Sequence, residues 1–130
     1  MAGTGPPDSL RSARVLVADD DADMRGWIRE ALESIGHNVL EAADGKSAID
    51  FLKRETLDLV LIDLAMPEQD GIETIRLLRR QHPALKIIAI SGAFGESFLR
   101  IAKILGAAAA LQKPIQLDKL LQTVQQLLGA

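Results

Sequence analysis

From Arg14 onward, short apolar runs alternate with longer amphipathic stretches. Residues 14–18 (RVLVA), 57–62 (LDLVLI) and 86–90 (KIIAI) are aliphatic and rich in β-branched side chains. Such runs fit strands covered by helices on both faces. Residues 38–42 (NVLEA) and 107–111 are weaker candidates nearer the sheet edges, which makes five strands. Between the runs, Met24, Trp27, Ile28, Ala31, Leu32 and Ile35 recur at helical spacing and are followed by Gly36, a C-terminal stop. Asp44 caps a second helix through Arg54, and Ile72, Ile75, Leu77 and Leu78 serve a third that ends before Pro83. A fourth spans about Glu96 to Leu105 and stops at Gly106, while Leu117, Leu120, Leu121, Val124, Leu127 and Leu128 give a fifth its apolar face. Strict strand and helix alternation predicts parallel strands joined by right-handed crossovers. The fold class is therefore α/β, a doubly wound sheet with helices on both faces.

A length of 130 residues fits one domain. Its expected bounds are 13–130, behind a tail at 1–12 too rich in Gly, Pro, Ser and Thr to bury much surface. Fifteen basic and eighteen acidic side chains give a net charge of −3, which offers no basic surface for nucleic acid or an anionic membrane. The absence of cysteine excludes disulfides, thiolate catalysis and zinc-thiolate sites, and it suits a reducing compartment. No apolar run approaches a membrane span, and the N-terminus lacks the apolar stretch of a signal peptide. A soluble, cytoplasmic protein is expected. His37 and His82 lie beside loop signals and are expected in solvent, not on a metal.

In an open parallel α/β sheet, ligands sit beyond the carboxyl ends of the strands. There the chain places Asp19, Asp20 and Asp21 after the first strand, Asp63 after the third, Ser91 after the fourth and Lys113-Pro114 after the fifth. Converging carboxylates repel one another and require a counter-charge, from Lys113 or from a hard divalent cation. Mg²⁺ suits such an open rim, because it keeps several waters and takes one or two carboxylates plus a phosphate oxygen. Acids, a hydroxyl and a lysine around Mg²⁺ form a phosphoryl-handling site, and a carboxylate can attack phosphorus to form an aspartyl phosphate. Asp63, the single acid at the end of the central strand, is the natural acceptor. Asp21 is assigned mainly to capping the first helix. The stretch from Met66-Pro67 to Asp70-Gly71 reads as a turn.

At these residues the sequence resembles the receiver domain of two-component response regulators, the family of the chemotaxis regulators. The parts that carry the resemblance are VLVADDD, LVLIDLAMPEQDG, IIAISG and LQKPI, in order and each after a strand, over roughly Arg14 to Leu128. The resemblance implies the flavodoxin-like strand order 2-1-3-4-5, for which the receiver fold is itself a standard example. It implies that Asp19 and Asp20 hold Mg²⁺ together with Asp63 and the backbone carbonyl of Ala65, and that Asp63 accepts the phosphoryl group. Ser91 then takes the place of the hydroxyl that bonds the phosphoryl group, Lys113 that of the lysine that pairs with it, and the peptide before Pro114 is commonly cis. The implied donor is a phosphohistidine on a sensor histidine kinase or a histidine phosphotransfer protein. The implied output is altered binding of a downstream effector at the face made by the fourth helix, fifth strand and fifth helix.

Three positions depart from the family pattern. Ala110 stands where an aromatic often reports phosphorylation, and Ala65 and Ala93 stand where side chains tune loss of the phosphoryl group. A phosphohydrolase of the haloacid dehalogenase type also uses an aspartyl phosphate and Mg²⁺, but wants a second acid where this chain has Ala65. A degenerate receiver acting only as a scaffold is disfavoured by the intact acids, Ser91 and Lys113. Neither a dinucleotide-binding nor a P-loop glycine pattern follows the first strand. The polar side of the last helix carries Gln116, Gln122, Gln125 and Gln126, with Asp118 and Lys119 its only charges, so a monomer is expected over a salt-bridged dimer.

Overall fold

The computed structural model describes residues 12–64, 71–92 and 95–128. The elements run β1 (Arg14–Ala18), α1 (Ala22–Glu33), β2 (Asn38–Ala42), α2 (Gly45–Arg54), β3 (Leu59–Asp63), α3 (Gly71–Gln81), β4 (Lys86–Ser91), α4 (Gly95–Leu105), β5 (Ala109–Gln112) and α5 (Leu117–Leu128). All strand pairings are parallel, in the order β2-β1-β3-β4-β5. This is the flavodoxin-like order that the resemblance implies.

The absence of polar alternation in the strands has its cause in two separate cores. Leu16, Val60, Ile62, Ile87 and Ala89 face one side, where they meet Ile49 and Leu52 of α2, Ile75 and Leu78 of α3, and Ala102 of α4. Val15, Val17, Leu59, Leu61, Ile88 and Ile90 face the other, against Ile28, Ala31 and Leu32 of α1 and Leu120 and Val124 of α5. Every residue of β3 is buried as a result. At about 25 cal/mol per Å² of apolar surface removed from water, each of these large side chains contributes roughly 1.5–3 kcal/mol. Trp27 is half-buried against the α1/α5 core.

The helix starts follow local chemistry. Asp21 caps α1 by accepting from the amides of Asp23 and Met24, and Asp44 caps α2 by accepting from the Ser47 amide at 2.8 Å.

Two expectations need correction. The fifth strand begins at Ala109, not 107, because the Ala107 amide bonds the Ala102 carbonyl of α4 at 3.0 Å in the turn through Gly106 (φ 126°). The alanine run from 107 to 110 carries no signal for that boundary. His37 is not solvated. It is 7% exposed, and its Nδ1 accepts from the Ala13 amide at 3.1 Å, where the chain entering β1 packs on the start of β2. His82 is half-buried. The expected tail, apart from Ser12, the turn at Met66-Pro67 to Asp70, and Ala65 and Ala93 lie outside the described residues.

Candidate functional site

The ends of the strands are tied together beyond the regular ladder. The Asp19 amide donates to Ala42 O at 3.1 Å, the Leu64 amide to Ile90 O at 2.8 Å and the Lys113 amide to Ser91 O at 2.9 Å. Asp19, Asp63, Ser91 and Lys113 thus leave a rigid sheet edge at one rim, as the topology requires. The Lys113–Pro114 peptide is cis.

Asp19 is fully buried and Asp63 is 4% exposed, whereas Asp20 is open to solvent. One carboxylate oxygen from each of the three lies within 4.8 Å of the others. Lys113 Nζ stands 3.2 Å from Asp19 Oδ2 and 3.2 Å from Asp63 Oδ2. Its contact with Asp63 is an aligned hydrogen bond, and with Asp19 it forms an ion pair of the same length. Ser91 Oγ is buried at the tip of β4 with no hydrogen-bond partner among the described residues. Buried polar atoms of this kind are rare, so the Ser91 hydroxyl at this rim points to a ligand that completes it.

Electrostatics agree. Asp19 is pushed up from 3.8 to about 6, first by burial and then by the neighbouring Asp63 charge, against the opposing pull of the Asp21 amide and Lys113. Burial alone would lower Lys113, yet Asp19 and Asp63 outweigh it and hold the ammonium above its ordinary range. Among the described residues, one lysine faces two buried acids and a third nearby, which leaves a deficit of positive charge. An all-oxygen, carboxylate-rich cluster with solvent on one side suits a hard divalent cation such as Mg²⁺.

Two glycines that the sequence reading did not assign to the site shape it. A Cβ on Gly71 would lie 2.5 Å from Leu64 Cα and 2.7 Å from Asp63 O, so only glycine lets α3 start directly against the backbone at the end of β3. A Cβ on Gly92 would meet Lys113 Cβ at 2.9 Å, so its absence leaves room for the lysine stem. Glycine after Ser91 is a visible signal, but its opposing partner comes from a distant element. All the expected site residues within the described stretches converge: Asp19, Asp20, Asp63, Ser91 and Lys113. Asp21 serves as the helix cap instead.

A family model described as "Response regulator receiver domain" matches residues 15–125. The chain belongs to this family: it is a receiver domain of two-component response regulators, a class of signalling proteins. It is 37% identical over 117 residues to "Response regulator receiver protein CpdR" of Brucella abortus, covering 90% of this chain and 98% of that protein. It is 38% identical over 116 residues to "Sensor kinase CckA" of the same organism, covering 88% of this chain but 12% of CckA. The crystal structure of NtrX from Brucella abortus superimposes with a TM-score of 0.87 at 28% identity, over 91% of this chain and 27% of NtrX. The chain thus matches both a protein of its own length and small parts of longer ones. Among the described residues, no helix is long and apolar enough to cross a membrane.

Proposed function

We propose that Asp63 accepts a phosphoryl group from a phosphohistidine on a sensor histidine kinase or histidine phosphotransfer protein in the cytoplasm. The observation that carries this reading is the buried pair Asp19 and Asp63 sharing one lysine at 3.2 Å from each, beside the exposed acid Asp20. Asp19, Asp20 and Asp63, with the Ala65 carbonyl, would hold Mg²⁺. When bound, that ion supplies neutralisation of charge on the phosphoryl oxygens.

The remaining chemistry belongs to the side chains. An Asp63 carboxylate oxygen attacks phosphorus, the N–P bond breaks, and its electron pair stays on the imidazole of the donor. The product carries about −1.5 to −2 charge where Asp63 carried −1. Lys113 then exchanges its Asp63 contact for a phosphoryl oxygen, and the Ser91 hydroxyl donates to another. Water later cleaves the acyl phosphate and regenerates Asp63, so the domain catalyses its own phosphorylation and dephosphorylation without being a conventional enzyme.

Ser91 and Lys113 lead into α4 and α5, so their displacement is felt on the α4/β5/α5 face. Ile101 and Ile104 of α4 and Leu117 of α5 are exposed there, which supports an effector surface on that face. The test is incubation with acetyl phosphate, with and without Mg²⁺, read by intact mass. A Mg²⁺-dependent gain of one phosphoryl group, lost in Asp63→Asn, is expected. The full gain in Asp63→Asn would refute the reading.

A further inference from the structure

Arg25 breaks two local rules. It lies in the first turn or so of α1, where the positive end of the helix dipole disfavours a cation, and Arg29 adds a like charge at i+4. Despite this its side chain is only 18% exposed. Its Nη1 donates to the carbonyl oxygen of Asp19 at 2.7 Å, and its Nε donates to Glu41 Oε1 on β2 at 2.9 Å. Arg29 Nη1 takes the other oxygen of Glu41, also at 2.9 Å, and Arg29 Nε pairs with Glu33 at 3.0 Å. Glu41 is therefore gripped from both sides. Hydrogen bonds from Arg29 and then Arg25 hold it below its usual range, against the opposing effect of burial.

The carbonyl that Arg25 holds belongs to the peptide joining Asp19 to Asp20. The same stretch is fixed from its other end, where the Asp19 amide bonds Ala42 O, next to Glu41 on β2, at 3.1 Å. Asp19 Oδ1 in turn accepts from the Asp21 amide at 2.9 Å. With the peptide plane set by these bonds, the direction in which the exposed Asp20 side chain leaves the backbone is set as well.

Resting on the reading of Asp19 and Asp20 as cation ligands, we propose that Arg25, held by Glu41 and Arg29, is a positioning residue that orients the Asp19–Asp20 peptide and so presents the Asp20 carboxylate to the cation.

The signs of the competing explanations differ. If Arg25 acted only as a nearby positive charge, its removal would tighten Mg²⁺ binding. If it only tacked α1 to β2, its removal would lower the melting temperature and leave the affinity of the folded protein unchanged. Positioning requires weaker binding, and requires it even when the charge is kept.

The experiment is calorimetric Mg²⁺ titration of the wild type, Arg25→Met, Arg25→Lys and Glu41→Gln, each below its own melting temperature. Loss of an outer-shell orienting partner costs about 10–100-fold in metal affinity. Arg25→Met and Arg25→Lys should both raise Kd about tenfold, and Glu41→Gln by a smaller factor. The Mg²⁺ half-saturation of acetyl phosphate-driven labelling should move in step, while the rate at saturating Mg²⁺ stays within about twofold of wild type. An unchanged or tighter Kd in either Arg25 variant overturns the positioning role alone. Absence of Mg²⁺ binding in the wild type overturns the cation site itself. Should Arg25→Met fail to fold, Arg25→Lys and Glu41→Gln decide the question.

Discussion

Replacing Asp19 by asparagine should stabilise the metal-free protein while removing its response to Mg²⁺. Asp19 is fully buried, and its carboxyl is raised from 3.8 to about 6, chiefly by burial. Because the folded-state value lies above the unfolded one, the folded protein binds the proton more tightly. Below about 3.8 both states are protonated and there is no penalty. Stability then falls as pH rises from 3.8 to 6, and above 6 the full cost of the buried charge is present. A difference of roughly two units corresponds to about 3 kcal/mol at about 1.4 kcal/mol per unit. The net value already includes the attraction of Lys113, and asparagine keeps an oxygen for the Asp21 amide. Asp19→Asn should therefore gain about 1–3 kcal/mol at pH 8 in chelator and nothing at pH 4. Urea unfolding at both pH values measures this. Added Mg²⁺ should stabilise the wild type by mass action, as any ligand of the native state does, and leave the variant unmoved. A variant less stable than wild type at pH 8 without metal, or an equal Mg²⁺ shift in both proteins, would refute the reasoning.

Further outcomes are expected elsewhere. Gly71→Ala places a Cβ 2.5 Å from Leu64 Cα and should cost about 2 kcal/mol or more in denaturant unfolding, with slower labelling at Asp63; stability equal to wild type would contradict the close approach. His37 is held below 6.5 by burial, against the pull of Asp58, so the unfolded chain takes up a proton first and stability should fall as pH drops through 6.5. His37→Gln should flatten that part of the pH profile, and an unchanged slope would count against a buried neutral imidazole. On phosphorylation, hydrogen exchange should change first within residues 91–105 while sedimentation remains that of a monomer. A salt-sensitive dimer, or no change in that segment, would contradict the proposed route from Ser91 to α4.

The parts of this fold legible in the sequence are those whose signal is local. LDLVLI announces a doubly covered strand because both its faces are apolar, and Asp44 announces a helix because a cap needs only the next three residues. The site was legible for a topological reason: parallel connections bring all the strand ends to one rim, so Asp19, Asp63, Ser91 and Lys113 had to be near one another once the strands were placed. What depends on tertiary neighbours was not readable. His37 looks like a loop residue until Ala13 is seen to dock on it. Arg25 and Arg29 read as an unfavourable pair until Glu41 arrives from another element. Gly71 reads as turn punctuation, and its necessity comes from the backbone it lies against.

The claim on which all of this rests is that Asp63 alone takes the phosphoryl group. Borohydride reduces an acyl phosphate to an alcohol and so converts a phosphorylated aspartate to homoserine, a permanent mark. The wild-type protein, labelled with acetyl phosphate and Mg²⁺, reduced and mapped by peptide mass spectrometry, should carry homoserine at position 63 and retain aspartate at 19 and 20. Homoserine at position 19 or 20, or an unmodified Asp63 in protein that has gained the phosphoryl mass, would contradict it.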